Sequence, residues 1–219
     1  MDSVYFFLKG PMMWICFIIF SIGVIYQVWR VYSLAKKKEA FIFSFLSLKY
    51  GLRSIYHWIT PFAATNMREQ PAMTVIGFAF HICLFLAPIF LIAHIELLNE
   101  AFNISYWALP NIIADIMAVI VIAGCVFFLV RRIVRPEVRF VTSGSDYALL
   151  TIVALPFISG LWSVHQFPGY SYALLIHIFS GEVMLMAIPF TRLIHMVFGA
   201  FSRAYTGSEF GGVRFSRDW

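Results

Sequence analysis

The sequence has little charge for its length. Only 12% of its 219 residues are Asp, Glu, Lys or Arg, whereas 61% are apolar or aromatic, and the mean hydropathy is +0.84. A soluble domain carries about twice that share of charge. The composition therefore excludes a soluble enzyme, a disordered chain and a free-standing nucleic-acid-binding protein, despite the formal net charge of +5. It is typical of an integral membrane protein.

Cysteine is also scarce. Cys16, Cys83 and Cys125 are isolated within apolar segments, and no CxxC motif occurs. This spacing excludes a covalently attached c-type haem and a cysteine-ligated iron–sulfur cluster. Each cysteine is expected to be a small apolar packing residue.

Five apolar segments are long enough to cross a membrane, which takes about 20 helical residues. They comprise residues 12–32, 72–98, 107–130, 147–164 and 170–200. No β-type alternation is visible, and lipid requires internal backbone hydrogen bonds, so the segments should be helices. We therefore predict an all-α integral membrane protein, a single domain over residues 1–219 with five transmembrane helices.

The basic residues predict the orientation. Lys and Arg are concentrated in residues 33–70, 131–139 and 201–219, whereas the loops after the second and fourth spans have none. The positive-inside rule then places the N-terminus outside and the C-terminus in the cytoplasm. The predicted location is the inner (cytoplasmic) membrane. Residues 33–70 become a cytoplasmic loop and residues 201–219 a cytoplasmic tail, which is expected to be disordered without a partner.

Residues 40–62 form an ambiguous apolar stretch. Lys49, Arg53 and His57 recur every four residues and would line one face of a helix, opposite Phe, Leu and Ile side chains. That pattern favours an amphipathic helix on the cytoplasmic interface. A sixth span is disfavoured, because it would place two cations near the membrane centre.

Four of the six histidines lie inside two predicted spans. His81 and His94 fall in the second, and His177 and His195 in the fifth. In an unbroken helix the eighteen residues from His177 to His195 make five turns, so both would share one face about 27 Å apart. Because the two spans run antiparallel, His94 would pair with His177 on the outer side and His81 with His195 on the cytoplasmic side. Facing imidazoles are axial ligands of b-type haem, so the pattern predicts two haems b.

The second span fits this pairing less well. Thirteen residues from His81 to His94 rotate an ideal helix by about 220°, so the two would not share a face unless Pro88 kinks the helix. Two other functions stay open. One is a haem-free membrane anchor with structural histidines, and the other is a small proton-coupled transporter using intramembrane His and Glu.

Other polar and small residues are candidates for supporting roles. Gly181, one turn past His177, would leave room for a macrocycle, and Arg192, one turn before His195, would pair with haem propionates. Alternatively, Gly181 permits close helix packing and Arg192 reaches lipid phosphates. Glu182 and Asp115 are carboxyl groups within spans and thus candidates for handling quinol protons. Their alternative role is a protonated, hydrogen-bonded carboxyl.

Two motifs resemble a known family. One is RRIVRPEVR at 131–139, followed by TSGSD at 142–146, and the other is PFTRLIH at 189–195. Together with His177, they resemble the membrane cytochrome b (gamma) subunits of respiratory nitrate reductase. The resemblance implies two bis-histidine haems b held by His81, His94, His177 and His195.

The chain departs from the nitrate reductase pattern in its second span and in its first cytoplasmic loop. It also has no lysine after Lys49, so the lysine of the family's outer quinol site has no counterpart. With these departures, the chain is more similar to cytochrome b subunits of transmembrane redox complexes in sulfate-reducing bacteria. That likeness implies an electron-transfer subunit without catalytic residues of its own. Its partners would be a periplasmic multihaem cytochrome c or menaquinone, at a possible quinone site, and a cytoplasmic iron–sulfur subunit.

Overall fold

The computed structural model describes residues 2–219, and 83% of the chain is helical, with no strand among these residues. The α-helices are α1 Asp2–Phe7, α2 Met13–Lys38, α3 Ile42–Phe45, α4 Leu48–Ile59, α5 Thr65–Glu69, α6 Pro71–Phe90, α7 Ile92–Phe102, α8 Asn111–Val134, α9 Pro136–Phe140, α10 Gly144–Val164, α11 Tyr170–Ala187 and α12 His195–Ser208. A π-helical stretch, Leu8–Met12, joins α1 to α2 without a break.

Five helical segments of the described residues are long and apolar enough to cross a membrane. They are Asp2–Lys38, Pro71–Phe90, Asn111–Val134, Gly144–Val164 and Tyr170–Phe190. The all-α membrane fold and the number of spans are thereby confirmed. The fourth span begins earlier than predicted because Ser143 and Asp146 form a capping box, which satisfies amide groups at the start of α10.

The second span is interrupted just after Pro88. Helix α6 ends at Phe90, Leu91 has extended backbone (φ −71°, ψ 130°), and α7 begins at Ile92. Proline lacks an amide hydrogen and favours such a break. The carbonyl oxygens of Pro88, Ile89 and Phe90 accept from His94 Nδ1 at 2.7 Å, Tyr106 Oη at 2.7 Å and Leu109 N at 2.9 Å. The break therefore leaves these three acceptors satisfied, as an apolar medium requires.

The fifth span is interrupted as well, and the prediction of one helix over 170–200 is wrong. A 3₁₀ turn, Ile188–Phe190, follows α11, and Thr191 is extended (φ −129°, ψ −176°) before α12 begins at His195. The PFTRLIH motif is thus the interruption itself. The argument that five unbroken turns place His177 and His195 on one face does not hold.

Helix α2 stabilises this second interruption. The Gln27 side chain donates to the Pro189 carbonyl oxygen at 2.9 Å, which supplies a donor to a carbonyl at the helix end. Gly23 lets the two segments meet, because a methyl group there would lie 2.7 Å from the Pro189 ring. The interruption is therefore built into the packing of α2.

The chain divides into two compact units. The first contains the described residues up to Gly10 and Ile76–Met184, and the second contains Pro11–Val75 and Leu185–Trp219. In the first, Gly124 of α8 admits the Phe80 ring, to which a methyl group would approach within 2.6 Å. Cys83 and Cys125 of this unit and Cys16 of the second are buried and form no disulfide, as expected for packing residues.

In the second unit, α4 packs against α12 through small residues. A methyl group at Gly51 would lie 3.2 Å from Ala204 Cβ, and one at Gly207 would lie 2.6 Å from the Tyr50 carbonyl oxygen. The stretch predicted as one amphipathic helix over 40–62 is two helices, α3 and α4. The structure differs from the predicted disordered tail, because residues 201–208 belong to α12 and Gly211, Gly212, Asp218 and Trp219 contact α4.

Replacing Gly207 by Ala is expected to separate α4 from α12. The added methyl group would meet a backbone carbonyl that cannot turn aside, and such overpacking costs about 1–3 kcal/mol. Thermal unfolding of the purified protein should show a lower Tm. Gly212→Ala is the matched control, since its methyl group would make an ordinary 3.6 Å contact with the Tyr50 ring. Equal Tm values for the two variants would contradict the close contact.

Candidate functional site

Two of the predicted ligands, His94 and His177, lie side by side in the first unit. Their ring centres are 5.9 Å apart and their planes differ by 27°. Imidazole–metal bonds of about 2 Å on opposite sides of one iron atom separate ring centres by about 6 Å. Because the helix is broken at Leu91, His81 and His94 lie on different helices, α6 and α7. Their thirteen-residue spacing therefore does not prevent His94 from facing His177. We call these two residues the imidazole pair.

All four predicted ligands use the same ring nitrogen in the same way. The Nδ1 atoms of His81, His94, His177 and His195 bond the carbonyl oxygens of Gly77, Pro88, Pro156 and Arg192 at 2.7, 2.7, 2.8 and 2.7 Å. Because a carbonyl only accepts, Nδ1 carries the proton and Nε2 carries the lone pair. Metal-bound histidines are oriented by this kind of bond.

The other two histidines do not share that pattern. Nδ1 of His57 is buried with no hydrogen-bond partner in the described chain, and its ring stacks on Trp219. Nε2 of His165 lies 3.2 Å from Asp115 Oδ2. The hydrogen bonds thus separate the four predicted ligands from the remaining histidines.

Glycine leaves open space one helical turn from three of the four ligands. Gly77 precedes His81 by four residues, and Gly181 and Gly199 follow His177 and His195 by four. Apart from the adjacent residues and the nearby backbone of its own helix, a methyl group at any of these glycines would meet no described atom within 4 Å. Such space beside an imidazole suits a broad planar group such as haem. Gly181 was predicted, whereas Gly77 and Gly199 were missed, although the four-residue spacing was visible in the sequence.

Gly160 of α10 is a further residue that sequence reasoning missed. A methyl group there would lie 3.0 Å from His177 Nδ1, so glycine lets α10 approach the ring closely. That approach brings the Pro156 carbonyl within hydrogen-bond distance of His177. No local pattern identifies Gly160, because its partner is seventeen residues away on another helix.

His81 and His195 belong to different units. His81, in the first, is exposed and lies edge-on to the Phe80 ring at 5.1 Å. His195, in the second, is the exposed first residue of α12, and Arg192 lies in the turn just before it. Pairing of His81 with His195 stays a prediction, as does the role of Arg192.

The two predicted carboxyl groups have different surroundings. Asp115 is partly exposed beside His165, a partner the sequence did not predict, and the His165 ring stacks on Phe167 at 5.8 Å. Glu182 is only 2% exposed, and neither of its carboxyl oxygens has a hydrogen-bond partner in the described chain. Only Asp115 is therefore exposed at the surface of the first unit.

Five apolar helical spans define the class of protein as a multi-pass membrane protein. Within it, residues 72–173 match the model of the nitrate reductase gamma subunit family. A protein of Nitratidesulfovibrio vulgaris (strain Hildenborough), a sulfate-reducing bacterium, is 36% identical over 215 residues, which cover 94% of this chain and 93% of that protein. The chain belongs to the nitrate reductase gamma subunit family.

Membership in the nitrate reductase gamma subunit family indicates the cofactor and the kind of complex. The family is one of haem b-binding cytochromes, and it makes this chain a membrane cytochrome b subunit of a redox complex. The residues present fit that group, since the imidazole pair has a haem-like spacing and oriented rings. The family model covers His81 and His94, whereas His177 and His195 lie beyond its last matched residue.

Gly160→Val should displace His177 and lower the haem b content. The larger side chain would occupy space that the imidazole ring now fills, which breaks the bond from Nδ1 to Pro156. A pyridine haemochrome assay on the purified variant measures the loss. Gly144→Val, at the open start of the same helix, is the control and should keep its haem. Full haem content in Gly160→Val would disprove the contact.

Proposed function

We propose that the protein is a dihaem b-type cytochrome subunit that carries electrons across the inner membrane. Its outer side would meet a quinone pool or a periplasmic multihaem cytochrome c, and its inner side a cytoplasmic iron–sulfur subunit. The observation that carries the proposal is the imidazole pair, His94 and His177, with both Nδ1 atoms bonded to backbone carbonyls. Family membership supports the haem assignment.

The chain's own residues would hold and orient the cofactors. His94 and His177 would ligate the outer haem, and His81 and His195 the inner one, with Gly181 giving space beside His177. Arg192 would pair with propionate groups through charge-assisted hydrogen bonds. Bound haem supplies one-electron redox chemistry, while the protein supplies ligands, spacing and an apolar surrounding.

The proposed orientation has the N-terminus outside and the C-terminus in the cytoplasm, from the distribution of Lys and Arg. Helix α4 would then lie on the cytoplasmic membrane surface. Its Leu48, Leu52, Tyr56 and Ile59 side chains are exposed, Leu48 by 79%, as an apolar face toward lipid would be.

Proton handling would fall to the two carboxyl groups if a quinol is the donor. Oxidation of a quinol releases two electrons and two protons, and the protons need acceptors with access to water. Asp115 orients His165 through Nε2, which leaves His165 Nδ1 as the acceptor. We assign proton release to this pair, with Glu182 as a buried carboxyl of α11, five residues after His177.

Purified protein should contain about two haems b per chain, each with a reduced-minus-oxidised spectrum of a bis-histidine cytochrome. His177→Ala removes one outer ligand and should leave about one haem. His165→Gln is the matched histidine control and should keep both, since His165 is bonded to Asp115 instead. Colourless wild-type protein would overturn the proposal and favour a haem-free anchor.

Asp115→Asn should slow haem reduction by a menaquinol analogue by about 10²-fold, the lower range for loss of acid–base assistance. Stopped-flow absorbance at the haem band measures the rate. Reduction by dithionite, which needs no proton acceptor, should be unaffected, and Glu182→Gln shows whether the buried carboxyl shares the role. An unchanged menaquinol rate in Asp115→Asn would remove the pair from the proposal.

A further inference from the structure

The position of His195 does not follow from the fifth span. That span ends at Phe190, and Thr191 is extended before the chain turns again. The Thr191 hydroxyl accepts from the Leu193 amide at 3.2 Å, which starts a new helical segment. His195 is the first residue of α12, so the placement of α12 determines where its imidazole lies.

Helix α12 is held in the second unit by α4. The two helices run antiparallel, since Ser47 at the start of α4 meets Ser208, whereas Trp58 near its end meets Arg203. The Ser47 amide donates to Ser208 Oγ at 3.0 Å, and the Arg203 guanidinium lies 4.4 Å from the Trp58 ring centre. Together with the glycine contacts at Gly51 and Gly207, these contacts hold the C-terminal half of α12, residues 203–208, against α4.

Asp218 joins the two helices directly. Its side chain is 1% exposed, its Oδ2 accepts a hydrogen bond from Ser54 of α4, and the same oxygen lies 3.9 Å from Nη1 of Arg203 on α12. One carboxylate therefore bridges α4 and α12. Removing it would leave the Arg203 guanidinium beside α4 without its counter-charge.

Trp219 fastens the same segment to the polar face of α4. Its ring stacks on His57, with centres 3.9 Å apart and planes 9° apart, and the Arg53 guanidinium lies 4.6 Å from its centre. Arg53 also lies 4.8 Å from the Tyr50 ring centre. The indole is thus held between two residues one turn apart on α4, an arrangement with both stacking and cation–π contributions.

We propose that Asp218 and Trp219 are positioning residues for His195: they clamp α4 onto α12 and so fix the imidazole that ligates the inner haem. This inference rests on the proposed function, because it concerns a ligand of that haem. The outer pair, His94 and His177, lies in the first unit, whereas Asp218 and Trp219 lie in the second. The clamp should therefore affect one haem and not both.

The test uses the full-length, haem-loaded protein with Asp218→Ala and Trp219→Ala. Each variant should lose the haem held by His195 or shift its midpoint potential and its electron paramagnetic resonance signal. Haem content would fall from about two per chain toward about one, with the other haem unchanged. Trp219→Phe keeps a stacking ring and should restore the wild-type potential. Arg217→Ala, an exposed neighbour in the same segment, is the matched control and should behave as wild type.

A second measurement does not depend on haem. In protein prepared without haem, amide hydrogen exchange over residues 48–59 should be faster in Asp218→Ala than in wild type, and unchanged in Arg217→Ala. Should Asp218→Ala fail to fold, Ser54→Ala removes only the hydrogen bond to the carboxylate and should shift the same haem's potential in the same direction.

The outcomes separate the two proposals. Wild-type protein without haem would overturn the proposed function, and the clamp's role with it. If the wild type holds two haems and both haems keep their potentials in Asp218→Ala and Trp219→Ala, the clamp is overturned but the proposed function is not. Loss of both haems together would also overturn it, because a positioning role predicts loss of only the haem held by His195.

Discussion

Each backbone carbonyl released from a helix in an apolar medium must find another donor, and the site depends on that constraint. At the break after Pro88, the carbonyl of Pro88 accepts from His94, and at the break before α12 the carbonyl of Arg192 accepts from His195. The same bonds that satisfy the main chain also fix the tautomer of each imidazole. An interruption that would be costly in lipid thus becomes a means of orienting a ligand.

Small residues complete this arrangement from two sides. Gly160 allows α10 to bring the Pro156 carbonyl to His177, whereas Gly181 leaves open space one turn after His177. Because glycine has no Cβ, it allows the close approach of a neighbouring helix at Gly160 and leaves unfilled space at Gly181. Family membership indicates haem b chemistry, and the spacing of the imidazole pair fits the proposed ligation of a haem by two histidines.

Local patterns in the sequence predicted what depends on neighbouring residues. A membrane span depends on the hydropathy of consecutive residues, so the five spans were predictable. Pro88 likewise gave a local signal for the break in the second span. Pro189 gave a similar signal, but the favourable eighteen-residue spacing of His177 and His195 argued for an unbroken helix. The support from Gln27 and Gly23 that stabilises the break at Pro189 comes from a distant helix. Contacts of Asp218 and Trp219 with α4, and of Asp115 with His165, are likewise non-local and had no sequence signal.

The acceptors that orient the four histidines are main-chain atoms, and this bears on how such a protein tolerates change. A neighbour that positions a ligand through its side chain can be lost in one substitution, whereas a carbonyl is present whatever residue occupies the position. Pro88, Pro156, Gly77 and Arg192 could each be exchanged without deleting the oxygen that the imidazole needs. Under the proposed function, redox potentials could then be adjusted by altering the surrounding side chains, while the orientation of the imidazoles is inherited with the path of the backbone.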